Sequence, residues 1–432
     1  MAHHFSIKLN MLDIKFIREN QDLVKQAIKN RALKIDLGAL IKIDDLRRKI
    51  LAELEEKRSQ RNLANDQISV LLKQGKDAKS VIASMKDISN SIGLLDVQVK
   101  EQELLLNNLL LTIPNLPHEF LPIGGPSQNK VVRAWGEPKK FDFKTLTHLQ
   151  ICQNLDIVDF NRATKITGSN FILFKGSGAR LERALINFML DLHTAKHGYT
   201  EIFPPFLVNR ASMLGTGQLP KMEEDMYKLE GDDLFLIPTA EVPLTNIHRD
   251  EILEEDKLPI LYTAYTACFR REAGSYGKDT KGLIRVHEFD KVEMVKFVKP
   301  EDSYQELDKL VANAEEVLQL LDIPYRVLML ATEDLSFSAS KCYDLEAYSP
   351  GMDKWLEVSS CSNFEAFQAR RANIKYRRKD NKKLEFVHTL NGSGIALART
   401  VVAILENYQQ ADGTVLIPKV LQPYFNGQER IS

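Results

Sequence analysis

Two long stretches with apolar residues three and four positions apart constrain this fold more than any other feature of the sequence. The first runs from Leu40 to Leu71, the second from Val81 to Ile113, and the polar turn Gln74–Asp77 separates them. Heptad spacing on both sides of a reversal predicts an antiparallel coiled-coil hairpin. With about 35 residues per helix at about 1.5 Å per residue, this arm would be roughly 50 Å long.

Three basic side chains, Arg47, Lys57 and Arg61, interrupt the apolar seam of the first stretch. Polar seam residues cost stability but fix the register of a coiled coil. One interpretation places their aliphatic stems along the seam and their charged heads in water. The other makes them a basic face that binds phosphates. Between Lys42 and Lys79 there are ten Lys or Arg against seven Asp or Glu, an excess too small to decide.

The chain changes character after Pro114 and Pro117, which end the second helix. Proline and glycine mark residues 115–138 as a linker. Beyond it, short apolar runs lie too close together for regular βαβ units, which favours an α+β domain with a mainly antiparallel sheet. We therefore predict an N-terminal domain over residues 1–114, with its arm at about 36–113, and a second domain over residues 139–432. The expected strands include Phe171–Phe174, Leu234–Ile237, Val292–Val298 and Tyr325–Leu330, and the expected helices are Leu181–Lys196, Tyr304–Leu321 and Ile395–Asn407.

Composition limits the classes of protein. The formal net charge of -1 argues against bulk electrostatic binding to nucleic acid but leaves room for a local basic surface. No apolar run reaches the roughly 18 residues of a transmembrane helix, so we expect no membrane association. The four cysteines lie far apart, so we expect neither a zinc site nor disulfides, and with no secretory signal visible we expect a cytoplasmic protein.

Charged side chains in one stretch suggest a site for an anionic ligand. Arg270 and Glu272 lie two residues apart on a predicted strand and so share a face. An arginine beside a carboxylate suits a ligand that carries a phosphate or carboxylate together with an amine. A polar loop over residues 273–282 leads into a returning strand with Arg285 and Phe289 on one face. A solvated sheet face is the alternative.

Three further stretches are weaker signals when each is taken alone. Glu357 and Ser360 could hold magnesium between phosphates, or only form a cap or loop hydrogen bonds. Asn391–Arg399 leads through small residues into a helix whose N-terminus would favour an anion. It matches neither a Walker A loop nor a dinucleotide fingerprint. Thr239 and Glu241 share a face of a predicted strand, with a strand-end cap as the alternative.

Taken in order, these motifs resemble the class II aminoacyl-tRNA synthetases, whose motifs 1, 2 and 3 correspond to Gly198–Pro205, Phe269–Glu272 and Gly392–Arg399. Together with Gly215–Lys221, with Thr239-Ala240-Glu241 and with the arm, they narrow the resemblance to the bacterial-type seryl-tRNA synthetase family. The resemblance covers essentially the whole chain from Met11 onward. Lys281 and Cys342 depart from the family's pattern, and we expect neither to affect the site.

The resemblance implies a seven-stranded, mostly antiparallel sheet flanked by helices, and a homodimer formed through motif 1 around Pro205. It implies that L-serine and ATP, with magnesium, form seryl-adenylate, and that the seryl group then passes to tRNA(Ser) and also to tRNA(Sec). No covalent enzyme intermediate is needed, so catalysis would rest on positioning and charge neutralisation. The loop Ala273–Gly282 would close over the site.

The resemblance also implies residue roles. The expected catalytic residues are Arg270, Glu272 and Arg399. The expected serine-binding residues are Thr239, Ala240, Glu241, Arg270, Glu293, Asn391 and Ser393, with the ammonium at Thr239 and Glu241 and the hydroxyl at Glu293 and Ser393. The expected ATP-binding residues are Arg270, Arg271, Glu272, Arg285, Val286, Phe289, Glu357, Val358, Ser359, Ser360 and Arg399, with magnesium at Glu357 and Ser360. Glu272 would accept from the adenine amino group, Phe289 would stack on the ring and Arg399 would cover its other face.

The arm gains a role from the same resemblance. It would bind the long variable arm of the tRNA by shape, with Lys57, Arg58 and Arg61 as candidate phosphate contacts.

Two alternatives to the function that this resemblance implies remain. A paralogue that charges a carrier protein would lack the hairpin. An inactive RNA-binding adaptor would have no reason to keep Arg270, Glu272, Glu293, Glu357 and Arg399, because burying charge is costly.

Overall fold

The structure, a computed structural model, describes residues 12–273 and 282–432. The loop expected to close over the site, Ala273–Gly282, therefore falls almost entirely outside the described residues, and so do Lys281 and the first ten residues. The described chain divides into two compact units. The smaller contains Leu33–Pro114 and the residues before Asn30, and the larger contains Asn30–Ala32 and Asn115–Ser432.

The smaller unit is helical, and its long hairpin confirms the predicted coiled coil. Its helices are α1 (Ile14–Glu19), α2 (Gln21–Asn30), α3 (Leu37–Lys73) and α4 (Lys79–Leu110). The side chain of Asp36 caps α3 by accepting a hydrogen bond from the backbone N–H of Ala39 at 3.1 Å. The heptad positions Ile50, Leu54, Ile92, Leu95 and Val99 are buried against one another, as their spacing requires.

The interruption of the seam at Arg47 has a local cause. Asp44 is fully buried, and it accepts from Arg18 Nη1 at 2.6 Å and from Arg47 Nη2 at 2.7 Å. The head of Arg47 therefore neutralises a buried carboxylate, a role that neither interpretation gave it. Farther along the arm, Arg58 crosses to Asp96 of α4 at 2.9 Å.

The larger unit is built on an eight-stranded sheet in the order β1-β8-β9-β10-β13-β7-β6-β2. Within it only β2 and β6 run parallel, so the prediction of a mainly antiparallel sheet is confirmed. The strands are β1 (Lys130–Trp135), β2 (Thr200–Glu201), β3 (Leu207–Asn209), β4 (Leu234–Leu236), β5 (Ile252–Glu254), β6 (Ile260–Phe269), β7 (Glu288–Val298), β8 (Tyr325–Met329), β9 (Lys341–Ser349), β10 (Lys354–Asn363), β11 (Lys375–Arg377), β12 (Leu384–Phe386), β13 (His388–Ala396), β14 (Val415–Leu416) and β15 (Arg430–Ile431). The helices are α5 (His148–Asn154), α6 (Phe160–Thr167), α7 (Ser177–Ala195), α8 (Arg210–Thr216), α9 (Glu241–Asn246), α10 (Ser303–Leu320), α11 (Phe367–Arg371) and α12 (Leu397–Asn407).

Two expectations about the larger unit are wrong. The segment 115–138 is not only a linker, because residues 130–135 form β1, which pairs with β8 as an eighth strand. All six of its side chains are exposed, so it carries no alternating apolar pattern that would mark it as a strand. The apolar run Phe171–Phe174 is not a strand either, and makes a single bridge between Val158 and Phe174.

One face of the sheet packs on helices and the other faces a cavity. Leu185 of α7, Leu310 of α10 and Val401 of α12 belong to one buried apolar cluster with Val292 and Met294 of β7. Because side chains alternate along a strand, the neighbours of these β7 residues point to the opposite face. That alternation determines which residues reach the site.

Candidate active site

The larger unit contains a cavity of about 410 Å³ on the sheet face opposite α7 and α10, with the first turn of α12 on its wall. Most of the predicted ATP and serine residues line it together, although they come from separate parts of the chain. They are Thr239, Glu241, Arg270, Glu272, Arg285, Val286, Phe289, Glu357, Val358, Ser359, Ser360, Asn391, Ser393 and Arg399. Three predicted residues are not part of its wall: Ala240, Arg271 and Glu293.

Strand β13 shows how the sequence directs side chains to the cavity. Asn391 and Ser393 line it, while Gly392 and Gly394 face the helices. A Cβ added to Gly394 would lie 2.3 Å from His193 Nε2, and one added to Gly392 would lie 2.8 Å from Cys361 Sγ. The expectation that these glycines let an anion approach a helix N-terminus is therefore wrong. They allow close packing under the sheet, and the helix begins only at Leu397.

A buried polar network forms the inner end of the cavity. Glu293 on β7 has 0% of its surface exposed and accepts hydrogen bonds from Thr239 at 3.2 Å, from Asn391 and from Lys291. Lys291 also donates to Thr239 Oγ1 at 2.8 Å. Because Thr239, Lys291 and Asn391 line the cavity, Glu293 lies directly behind its wall.

Glu241 is a second carboxylate at this end. It begins α9, so the expectation that it shares a strand face with Thr239 is wrong; a turn brings the two side chains together. Burial first, and then the charge of Glu293, raises the pKa of Glu241 to about 7. One of its oxygens accepts from Gln368 Nε2 at 2.5 Å. Ala240 lies in the apolar core beneath this turn and is not exposed to the cavity.

Arginines dominate the outer end. Strand β6 ends at Phe269, so Arg270 and Glu272 follow the strand instead of alternating along it, and the basis of that prediction is wrong. Glu272 has a φ of 52°, in the left-handed region. Both side chains still line the cavity. The Arg270 guanidinium lies 5.1 Å from the centre of the Phe289 ring, within the range of a cation–π contact.

Arg285 and Arg271 differ in their placement. Arg285 Nε lies 3.3 Å from Glu272 Oε2, so the two predicted ATP residues form an ion pair. Arg271 is exposed and its backbone N–H donates to the carbonyl of Asp225 at 2.9 Å. Arg271 is therefore not brought into the cavity with its neighbours.

Arg399 lies in the first turn of α12 and points toward β10. Its Nε donates to the carbonyl of Ile284 at 3.1 Å, and its Nη1 donates to the carbonyl of Glu357 at 2.8 Å. The Glu357 carboxylate is 3.5 Å from the same nitrogen. A bulge in β10 between Glu357 and Ser359 changes the alternation there, so that residues 357–360 all reach the cavity wall.

Two residues beneath this wall were not predicted as part of the site. Cys342 Sγ lies 3.1 Å from Ser360 Oγ and 3.5 Å from Asp344 Oδ1. Burial first, and then the charge of Glu357, raises the pKa of Asp344 well above its usual value. Cys342, which departs from the family's pattern, thus contacts a predicted magnesium ligand.

Lys291 lines the cavity but was not among the residues predicted from the sequence. Phe289 and Glu293 were both predicted, and strand alternation places Lys291 on their face between them.

The predicted tRNA-binding residues of the arm lie on α3 in the smaller unit. There, Lys57 Nζ is 3.4 Å from Gln60 Oε1, and Arg58 pairs with Asp96. All four cysteines are buried free thiols.

Across residues 12–273 and 282–432, no group of three or more His, Cys, Asp or Glu side chains is arranged to hold a metal ion. Over the same ranges no helix is long and apolar enough to cross a membrane.

Family models and full-length relatives both point to the same family for this chain. A model of the seryl-tRNA synthetase N-terminal domain matches residues 11–117, and one of the tRNA synthetase class II core domain (G, H, P, S and T) matches residues 224–408. The chain is 56% identical over 423 residues to the serine–tRNA ligase of Desulforapulum autotrophicum, covering 98% of this chain and 99% of that protein. It is 58% identical over 415 residues to that of Thermoanaerobacter pseudethanolicus, covering 96% and 98%.

A solved structure extends the agreement to the fold. The crystal structure of seryl-tRNA synthetase from Pyrococcus horikoshii complexed with ATP is similar with a TM-score of 0.91 at 39% identity, and the match covers 98% of this chain and 99% of that one. The chain therefore belongs to the seryl-tRNA synthetase family and is a class II serine–tRNA ligase.

Proposed function

We propose that the cavity carries out both steps of serine–tRNA ligation. The carboxylate of serine attacks the α-phosphorus of ATP, the bond to the bridging oxygen breaks, and pyrophosphate leaves. A hydroxyl of the terminal adenosine of tRNA then takes the seryl group and releases AMP. One observation carries this proposal: a single cavity combines a buried carboxylate network at one end with Arg270, Arg285 and Arg399 at the other.

ATP would bind at the outer end, where the arginines can contact its phosphates; the Pyrococcus horikoshii relative was solved in complex with ATP. Arg270 would contact the α-phosphate and the serine carboxylate, neutralising charge where it develops. Phe289 would stack on adenine and Glu272 would accept from its amino group. Because Glu272 pairs with Arg285 at 3.3 Å, nucleotide binding would exchange that ion pair for contacts to adenine and to the triphosphate tail.

The remaining ATP residues surround these. Arg399 would cover the adenine and reach the γ-phosphate, with Val286 and residues 357–360 beside the nucleotide. Arg271, which is exposed outside the cavity wall, is the weakest member of the proposed set.

Serine would bind at the inner end. Glu241 would receive its ammonium, and Glu293 with Ser393 would receive its hydroxyl, close to Asn391. A site built to bind a hydroxyl rejects the analogue without one by about 10⁴-fold, because the buried acceptor is left unpaired. Alanine would then be excluded strongly and threonine by size.

Magnesium would bind at Glu357 and Ser360. Both line the cavity, and the Glu357 side chain is 49% exposed there. Two protein oxygens suit an ion that keeps water and substrate phosphates as its other ligands, and it would supply charge neutralisation between phosphates. The residues therefore fit the ion.

The hairpin would bind tRNA(Ser), and also tRNA(Sec), through phosphate contacts from Lys57, Arg58 and Arg61 on α3. Reading shape across an RNA helix suits a long arm whose positive and negative charges balance. A paralogue that charges a carrier protein would not need this hairpin. An inactive adaptor would not need the charged residues that line the cavity.

We further propose a cytoplasmic homodimer formed through motif 1. Phe203 of that motif is 78% exposed in the single chain, and a large exposed aromatic ring is typical of a contact surface. The domain boundary would lie near residue 114, with β1 and the rest of the segment from residue 115 onward belonging to the catalytic domain.

The test is amino-acid-dependent ATP–pyrophosphate exchange, with all twenty amino acids measured separately in the presence of magnesium. We expect strong exchange with serine alone. Exchange with a different amino acid would overturn the assignment of the inner end. No exchange from a folded protein would overturn the enzymatic proposal and favour the adaptor.

A further inference from the structure

Lys291 occupies a position in the cavity that none of the assigned roles uses. It is 5% exposed, lies on β7 between Phe289 and Glu293, and lines the cavity wall. Its ammonium donates to Thr239 Oγ1 at 2.8 Å and pairs with Glu293 Oε2. A lysine buried to this extent is costly unless its charge is compensated, so its partners explain why it is there.

Hydrogen-bond counting shows that the Thr239 hydroxyl is fully used. A hydroxyl has one donor and two acceptor positions. Thr239 Oγ1 accepts from Lys291 and from the backbone N–H of Glu241 at 3.2 Å, and it donates to Glu293 Oε2 at 3.2 Å. This hydroxyl has no acceptor position left for a substrate ammonium. The ammonium would therefore bind to Glu241.

The same count leaves one acceptor position on Glu293. A carboxylate oxygen has two lone pairs. Those of Oε2 are taken by Lys291 and Thr239, and one of those on Oε1 is taken by Asn391 Nδ2. Glu293 is fully buried behind the wall, so a substrate hydroxyl would fill the remaining lone pair of Oε1 when a side chain of the wall moves aside.

Charge balance points the same way. Glu241 and Glu293 bring two carboxylates to the inner end, and Lys291 brings one positive charge within contact of Glu293. Arg270 acts on Glu241 as a second positive charge, so Lys291 is the cation that compensates Glu293 directly. Without Lys291, Glu293 would lose both a hydrogen bond and its compensating charge, and its carboxylate would be free to turn.

We propose that Lys291 is a positioning residue for substrate recognition: it holds the Glu293 carboxylate and the Thr239 hydroxyl so that a single acceptor remains for the hydroxyl of serine. This inference rests on the proposed serine site. Lys291 would thereby control the discrimination between serine and amino acids that lack a hydroxyl.

The experiment compares Lys291→Met, which keeps length and volume without the charge, with Lys291→Gln, which keeps a donor. Serine-dependent and alanine-dependent ATP–pyrophosphate exchange give kcat and KM for each amino acid and for ATP. For Lys291→Met we expect kcat/KM for serine to fall about 10- to 100-fold, as the loss of a hydrogen bond to a charged group predicts. We expect the KM for ATP to change by less than about 2-fold and kcat/KM for alanine to change less than that for serine.

Lys296→Met is the matched control. Lys296 lies on the same strand, is 2% exposed and pairs with Glu306 at 2.9 Å away from the cavity. Its loss should lower thermal stability without changing the preference for serine over alanine. Lys291→Gln should recover part of that preference.

Three outcomes would overturn the inference. The first is an unchanged ratio of serine to alanine in Lys291→Met. The second is an equal change of that ratio in Lys296→Met. The third is a failure of both Lys291 variants to fold while Lys296→Met folds, which would make Lys291 a folding residue. If the wild-type chain itself shows no serine-dependent exchange, the proposed function has failed instead.

Discussion

Burial changes the chemistry of single side chains in this cavity. Glu241 is the clearest case, because burial and the nearby charge of Glu293 raise its pKa to about 7. A carboxyl with a raised pKa is neutral below that value and charged above it. Only the charged form makes an ion pair with an ammonium, so the proposed serine contact depends on pH in the physiological range.

We therefore expect the KM for serine to fall as pH rises through about 7. The measurement is serine-dependent pyrophosphate exchange between about pH 5.5 and 8.5. The KM for ATP serves as the internal control, and Glu241→Gln should remove the pH dependence of the KM for serine. A KM for serine that stays constant across this range would contradict the role of Glu241.

Gly394 shows how packing selects a residue type under the site. A Cβ there would lie 2.3 Å from Nε2 of His193, a fully buried side chain whose ring nitrogen is 2.9 Å from the Gly394 carbonyl. We expect Gly394→Ala to lower the free energy of unfolding by about 1–3 kcal/mol, the usual cost of overpacking.

The control for that substitution is Gly93→Ala in α4. No atom lies within 4 Å of the added Cβ, so the change should stabilise the helix by about 1 kcal/mol. Urea unfolding followed by circular dichroism measures both variants. Equal stability of Gly394→Ala and wild type would mean that the strand shifts to make room.

At the scale of elements, strand ends and turns form the cavity. Arg270 follows β6, Glu241 begins α9, and Arg399 lies in the first turn of α12. The arm, α3 and α4, contributes none of the residues on the cavity wall. Amino-acid activation and tRNA recognition are thus proposed for different elements.

Removing the hairpin tests this division. A chain in which a short flexible linker replaces residues 40–111 should keep serine-dependent pyrophosphate exchange close to the wild-type rate, since every cavity residue is retained. Charging of tRNA should be lost almost completely. Loss of both activities to the same degree would contradict the separate roles.

Single charges on α3 give a finer test. The logarithm of the tRNA binding constant falls linearly with the logarithm of salt concentration, with a slope that depends on the number of phosphate contacts. If Lys57 and Arg61 contact phosphates, Lys57→Gln and Arg61→Gln should each reduce the size of this slope by about one. Lys25→Gln on α2, a lysine of the same unit that lies outside the arm and is 57% exposed, is the control and should leave the slope unchanged. Filter binding at several salt concentrations measures it. Unchanged slopes for both arm variants would move the phosphate contacts elsewhere.

For the whole molecule, the net charge of -1 means that tRNA binding depends on where charges lie and not on their sum. Self-association is likewise proposed from one local feature, the exposed ring of Phe203 in motif 1. We expect Phe203→Asp to weaken the dimer strongly, because a charge in an apolar contact must be desolvated on association.

Light scattering coupled to gel filtration measures the mass of that variant. Phe120→Asp is the matched control, since this phenylalanine is 74% exposed outside motif 1. The control should elute with the mass of the wild-type protein. A Phe203→Asp variant that remains dimeric at low concentration would place the interface on other residues.

Local sequence patterns were enough to predict much of the secondary structure of this protein. The heptads predicted α3 and α4 because a coiled coil repeats within a single stretch of chain, and the helices at 303–320 and 397–407 were visible for the same reason. The strand β1 could not be predicted from the sequence, because all six of its residues are exposed and its apolar residues do not alternate with polar ones. Most of the residues that the motifs identified line the cavity.

Only the tertiary structure decided how those residues act on one another. The network of Lys291, Glu293, Thr239 and Asn391 joins β7, the turn before α9 and β13, and no local pattern relates these three segments. Cys342 meets Ser360 because β9 pairs with β10 in one register. Hydrogen bonds, burial and pKa shifts depend on distances between residues far apart in the chain, and folding alone sets those distances.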